Sequence, residues 1–114
     1  MSLLERTTTY TPVCAMSRLT PDRGVAALVD GTAIAVFLLG TGELAVIDNI
    51  DPISGANVLS RGIVGDAFGT PTVASPLYKQ RFDLRTGQCL DDGTVAVRTW
   101  PVRVHEGRVE VAGS

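Results

Sequence analysis

One histidine, two cysteines and a few aspartates are the residues of this chain best suited to chemistry. His105 is the single histidine, so any Ser-His-Asp or Cys-His mechanism would have to run through it. It falls beside a hairpin signal on the polar face of an alternating segment, with no Ser or Cys near it in sequence, and reads as a surface residue. Cys14 and Cys89 lie far apart and form no Cys-x-x-Cys, and one histidine cannot complete a zinc site of the usual spacing. Both read as free thiols; a disulfide between them has no support in the spacing. Asp48, Asp51 and Asp66 could offer oxygen to a magnesium or calcium ion. The plainer reading of Asp51 is that it caps its own turn. The glycines from Gly62 to Gly69 make no Walker A run and open no helix, so they read as turns rather than a phosphate cradle. Arg61, Lys79, Arg81 and Arg85 fall in or near two loops that also carry Ile50, Ile53, Leu77 and Tyr78. That mixture of cations and apolar groups suits a docking surface for an acidic partner. The competing reading pairs Arg81 with Asp83 or a loop carboxylate and leaves it a purely structural task.

The elements that must position these residues are strands. Val25 to Val29 is an apolar run ended by Asp30-Gly31, a strong two-residue hairpin signal. Ala33 to Leu39 stops at Gly40-Thr41-Gly42, and Leu44 to Ile47 leads straight into the first loop, which completes a three-stranded meander. Near the C-terminus Val95 and Val97 alternate with Ala96 and Arg98, Val102 and Val104 with Arg103 and His105, and Val109 and Val111 with Arg108 and Glu110. A turn at Glu106-Gly107 predicts Val104 against Val109 and Val102 against Val111 on a buried face, with Arg103 opposite Glu110 on the wet face. Residues 49–93 hold most of the turn formers and read as a loop-built insert, with one helical turn at most near Ala56 to Leu59.

The bulk numbers bound the rest. The 114 residues fit a single domain spanning 1–114, large enough to fold on its own core. Ten basic against 12 acidic residues, net −2 and without a run of Lys or Arg, argue against binding nucleic acid through its phosphates. Charged residues make up 19%, below the ~25% usual for soluble domains, which is compatible with part of the surface being covered by a partner. No uncharged apolar run approaches the ~18 residues of a membrane span. Met1-Ser2-Leu3-Leu4-Glu5-Arg6 carries charge where a signal peptide needs an apolar core, so a reducing cytoplasm is the expected address.

Two segments carry a family likeness: Asp48-Asn49-Ile50-Asp51-Pro52-Ile53-Ser54-Gly55-Ala56 and Ser75-Pro76-Leu77-Tyr78-Lys79-Gln80-Arg81-Phe82-Asp83-Leu84-Arg85-Thr86-Gly87. They resemble the two cluster-binding loops of Rieske iron–sulfur domains, about 48–56 and 75–87 here, and the likeness extends from about Val13 to Val111. A Rieske centre takes Cys-x-His from one loop and Cys-x-x-His from the other. On that frame Asp51 and Ile53 stand at the first pair of ligand positions and Ser75 and Tyr78 at the second. The resemblance implies an all-β fold, with small antiparallel sheets or a flattened barrel carrying a loop-rich insert. It also implies that Asp83 and Gly87 make the turn after the second loop and that Phe82 anchors it in the core.

Within the family the ligand-free pattern is similar to the small subunits of NAD(P)H-dependent assimilatory nitrite reductases, through the first loop, Leu59-Ser60-Arg61-Gly62-Ile63-Val64-Gly65-Asp66 and Ser75 to Phe82. That resemblance implies a cluster-free oxidoreductase subunit with no catalytic residue, metal or cofactor of its own. Its partner would be a large subunit bearing flavin, an iron–sulfur cluster and sirohaem, which reduces nitrite to ammonium. Partner docking then falls to Arg61, Leu77, Tyr78, Lys79 and Arg81, with Tyr78 expected to fill the vacated imidazole space. The alternative is a stand-alone binding module on a degenerate Rieske ferredoxin scaffold.

Overall fold

The computed structural model describes residues 9–113; the charged N-terminal start lies outside them. They form nine strands: β1 (Tyr10–Ala15), β2 (Gly24–Val29), β3 (Thr32–Leu38), β4 (Leu44–Asp48), β5 (Ile63–Ala67), β6 (Thr70–Ala74), β7 (Arg81–Asp83), β8 (Val102–His105) and β9 (Arg108–Ala112). Three antiparallel three-stranded sheets result, ordered β1-β9-β8, β2-β3-β4 and β5-β6-β7. The all-β expectation holds.

Strand β3 explains how three small sheets share one interior. Ile34 to Phe37 are all fully buried, and successive side chains of a strand point to opposite faces. Ala35 and Phe37 join a core with Ile47, Leu59, Val73, Phe82 and Leu84. Ile34 and Val36 join a second core with Val46, Trp100, Val109 and Val111. The meander is therefore the middle layer, with the loop-bearing sheet on one face and the terminal sheet on the other. Its Asp30-Gly31 turn has φ of 50° and 81°, the doubly left-handed form whose twist matches a hairpin.

The insert is more regular than its composition indicates. Residues 63–83 contain β5, β6 and β7, where the sequence reads as loops. Pro71 lies opposite Asp66 in the β5–β6 ladder, and its carbonyl accepts from Leu84 N–H at 2.9 Å. A proline at a position that donates no ladder bond does not break a strand. The expected turn near Ala56 to Leu59 is a 3-10 turn at Leu59–Arg61.

Two corrections concern the C-terminal part. Val95 to Arg98 forms no ladder strand; it makes isolated bridges and, with Arg98 and Trp100 bonding Asp48 and Val46, covers the edge of β4. The β8–β9 register is as read, with Val102 opposite Val111, Arg103 opposite Glu110 and Val104 opposite Val109. The faces hold for Val109 and Val111, both fully buried, for Val102, packed on the same core, and for Arg103, exposed, but not for Val104, 49% exposed, or Glu110, only 7%. Strand β1 supplies the reason. It pairs with the other side of β9, puts Pro12 opposite Glu110, and its Tyr10 ring lies 4.1 Å beneath the Arg103 guanidinium that bonds Glu110 at 2.8 Å.

Candidate functional site

Strand β4 delivers the chain into the first loop. Asp48 accepts the Trp100 indole N–H at 2.8 Å, which pins the loop's base to the lower core. Asn49 is buried and serves as a hub: it donates to Asn57 Oδ1 at 2.6 Å and accepts Ser60 N–H at 2.6 Å. The loop closes on itself through Asp51 N–H to the Ala56 carbonyl and Gly55 N–H to the Asp51 carbonyl. Strand β6 delivers the second loop, which closes through Ser75 N–H to the Gln80 carbonyl and Lys79 N–H to the Ser75 carbonyl. Beyond it, Asp83 Oδ1 accepts the N–H groups of Arg85 and Thr86, Gly87 has φ of 82°, and Phe82 is fully buried, as the family likeness implies. A Cβ on Gly87 would overlap the Val97 carbonyl, so no other residue fits that turn.

The two loops are joined by one carboxylate. Asp51 is fully buried; Ser75 Oγ donates to its Oδ2 at 2.6 Å, and Gln80 Nε2 reaches both oxygens at 3.0 Å. Within its own loop, Asp51 Oδ1 accepts Ile53 N–H at 2.8 Å and Ser54 N–H at 3.4 Å, so it also caps its turn as expected. Burial alone would raise the Asp51 pKa. The Ser75 hydroxyl, the Ile53 and Ser54 N–H groups and the Gln80 amide outweigh it and hold the carboxyl below its ordinary value. The donors are all neutral, so the ionised form is held by hydrogen bonds and not by an ion pair.

Tyr78 departs from expectation. Its side chain is 66% exposed and does not enter the vacated imidazole space; Gln80, 7% exposed, points inward instead. Lys79 adopts a left-handed φ of 62°, and this reversal turns the chain from the outward Leu77 and Tyr78 back to the inward Gln80. Gln80 is not a site residue in the sequence reading, but an aspartate buried beside a second loop needs donors from it, and an amide two residues past Tyr78 is the side chain able to supply two. The Gln80 Oε1 has no hydrogen-bond partner, and flipping the amide would set that oxygen against the carboxylate.

The arginines sort differently from the sequence reading. Arg81 is tied to Asp91, whose carboxylate accepts its N–H at 2.7 Å and its guanidinium at 3.0 and 3.3 Å, so the loop-carboxylate alternative is the one observed, with Asp91 and not Asp83. Arg85 pairs with Glu43 at 2.9 Å, at the opposite end of β7 and β4 from the loops. Arg61 lines a groove with Asp22, Arg23, Ile63 and Val64, to which neither Leu77 nor Tyr78 contributes. Exposed Ile50, Ile53, Leu77, Tyr78 and Lys79 remain on the two loops that Asp51 ties together.

The chemistry of the ligand positions does not suit a two-iron cluster. Such a cluster wants thiolate sulfur and imidazole nitrogen, whereas these positions offer a carboxylate already engaged by five donor contacts, an aliphatic side chain, a hydroxyl spent on that carboxylate, and an outward phenol. Cys14 lies in β1 and His105 is exposed in the β8–β9 hairpin, while Cys89 is buried in the core with Phe82 and bridges Phe82 on the return of the second loop, so none of the three stands at a ligand position. Asp48, Asp51 and Asp66 do not converge either: Asp48 serves Trp100, Asp51 the loops, and Asp66 caps the β5–β6 turn through Gly69 N–H at 3.0 Å.

Residues 9–112 match the Rieske-like [2Fe-2S] domain family. A segment of the nitrite reductase [NAD(P)H] large subunit of Klebsiella oxytoca is 46% identical over 99 residues, covering 87% of this chain but only 10% of that protein. The nitrite reductase (NADH) small subunit of Salmonella typhimurium is 39% identical over 102 residues, 89% of this chain and 94% of its own. Among solved structures, one described as an NADH-dependent nitrite reductase small subunit from Mycobacterium tuberculosis superposes with a TM-score of 0.91 at 47% identity, covering 95% of this chain and 97% of that one.

Proposed function

The chain belongs to the Rieske-like [2Fe-2S] domain family, and within it to the nitrite reductase (NADH) small subunits, and on that premise we propose that it acts as a cluster-free docking subunit of an NAD(P)H-dependent nitrite reductase. The partner is the catalytic large subunit; from the family resemblance we infer flavin, an iron–sulfur cluster and sirohaem on it, in a cytoplasmic complex that reduces nitrite to ammonium. The occurrence of this domain inside the large-subunit chain of Klebsiella oxytoca supports that pairing, because a domain fused in one chain and separate in another meets the same surface in both.

One observation carries the reading. Asp51 and Ser75, at two of the four positions where the family's metal ligands would stand, join with Gln80 from the second loop in a hydrogen-bonded clamp beneath an exposed apolar tip. The clamp keeps the shape of the two loops and dispenses with the redox centre. Electrons then need not cross this chain, and its contribution is to bind and stabilise the competent conformation of the large subunit by mass action. Leu77 and Tyr78 are the apolar contacts and Lys79 the cation beside them; the Arg81–Asp91 pair stands at the rim and holds the loop's return. Iron analysis of anaerobically purified protein tests this directly. Sub-stoichiometric iron in a preparation that still binds the large subunit is the expected result, and two irons per chain would refute it.

A further inference from the structure

The β5–β6 hairpin holds a residue that the fold alone does not account for. Phe68 and Gly69 form its two-residue turn with φ of 53° and 89°, and the Phe68 side chain is fully exposed. Left-handed turn positions favour Gly, Asn or Asp; a bulky aromatic there is strained and leaves its ring in water. Ile63, at the other end of β5, is 75% exposed.

Strand β5 also has a free edge. Asp66 and Pro71 face each other without exchanging hydrogen bonds, since Pro71 has no N–H and its carbonyl is taken by Leu84. Bonded and non-bonded pairs alternate in an antiparallel ladder, so Val64, opposite Val73, is likewise unbonded to β6. The N–H and C=O groups of Val64 and Asp66 therefore point away from the sheet and have no partner among the described residues. Other edges are handled differently: residues 98–100 cover β4, and residues 88–90 cover β7.

Along this free edge runs a groove of about 370 Å³ lined by Leu39, Val64 and Pro71 and by Asp22, Glu43 and Asp66. Arg85 also lines it, paired with Glu43 at 2.9 Å and close enough to Asp66 to feel its charge, so the groove carries three carboxylates against one guanidinium. The hairpin lies at the far end of β6 from Ser75, roughly 16 Å away at the usual rise of a strand, so this surface is separate from the loop tip.

We propose that the β5 edge and Phe68 form a second contact surface, which takes an extended, basic segment of the large subunit. The segment adds to β5 as a fourth strand, bonding the free groups of Val64 and Asp66. Its cationic side chains meet Asp66 and Asp22 toward the hairpin end of β5, away from Arg23 and Arg61, which line the groove at the Ile63 end, and Phe68 enters an apolar pocket beside it as an anchor. This inference rests on the subunit reading above and adds a second end by which the chain grips its partner.

Phe68→Gly separates binding from folding, because glycine is at ease at this φ and removes an exposed ring. The free variant should melt at the same temperature as the parent or higher, yet bind the purified large subunit about tenfold more weakly or worse. In the complex with the parent chain, hydrogen exchange at the Val64 and Asp66 amides should slow relative to the free chain. Unchanged affinity of Phe68→Gly, or β5 amides that exchange in the complex at the free-chain rate, overturns the proposal while leaving the subunit reading standing. Failure of the parent chain itself to bind the large subunit removes both.

Discussion

Asp51 ties the two loops together with one buried carboxylate. A buried carboxylate is costly unless its acceptors are filled, and here Ser75, Gln80 and two backbone N–H groups fill them. Ser75→Ala removes a hydrogen bond to a charged group and should destabilise the chain by about 1.5–3 kcal/mol, read by denaturant unfolding. The Asp51 pKa is lower folded than unfolded, so its ionised form contributes stability that is fully present above its ordinary value of 3.8 and is lost as pH falls through the depressed folded value. The parent should therefore lose stability on acidification below about pH 4 more steeply than Asp51→Asn, and equal acid slopes in the two would contradict the assignment. In the sequence, Asp51 as a turn cap was legible from local spacing, and Ser75 at a vacated position only through the family resemblance. Gln80 and the Arg81–Asp91 pair were not, since each depends on where a second segment arrives in space.

Apolar runs bounded by turn residues read well, and the meander shows it: β2, β3, β4 and the Asp30-Gly31 turn lie where those runs and the turn chemistry place them. The insert sheet read poorly because Gly65 and Pro71 count as breakers in a linear scan, yet the free edge of β5 and the unbonded Pro71 position tolerate them. In the terminal hairpin the turn fixed the β8–β9 register, but the buried face of β9 depends on β1, whose Pro12 and bulge hid it as a strand. The reassigned faces have a measurable consequence. Val109, fully buried, should lose about 2 kcal/mol on substitution by alanine, whereas Val104→Ala, directly opposite but half exposed, should change stability by less than about 0.5 kcal/mol. Comparable losses at both positions, seen by thermal unfolding, would restore the face assignment read from alternation alone.

The molecule as a whole is a middle sheet covered on both faces, with two loops tied by a carboxylate at one end of the insert and an aromatic hairpin at the other. Its family descends to chemistry through four metal ligands, and this chain keeps the frame with none of the four. On the proposed docking role its effect on the large subunit should saturate with the affinity of the complex and be independent of iron. The most direct measurement is the nitrite-dependent NAD(P)H oxidation rate of the large subunit, alone and with an equimolar amount of this chain freed of iron by chelation. A clear rise in rate with the iron-free chain is the expected result. A rate that rises only with iron-loaded chain, or not at all, would contradict a docking role.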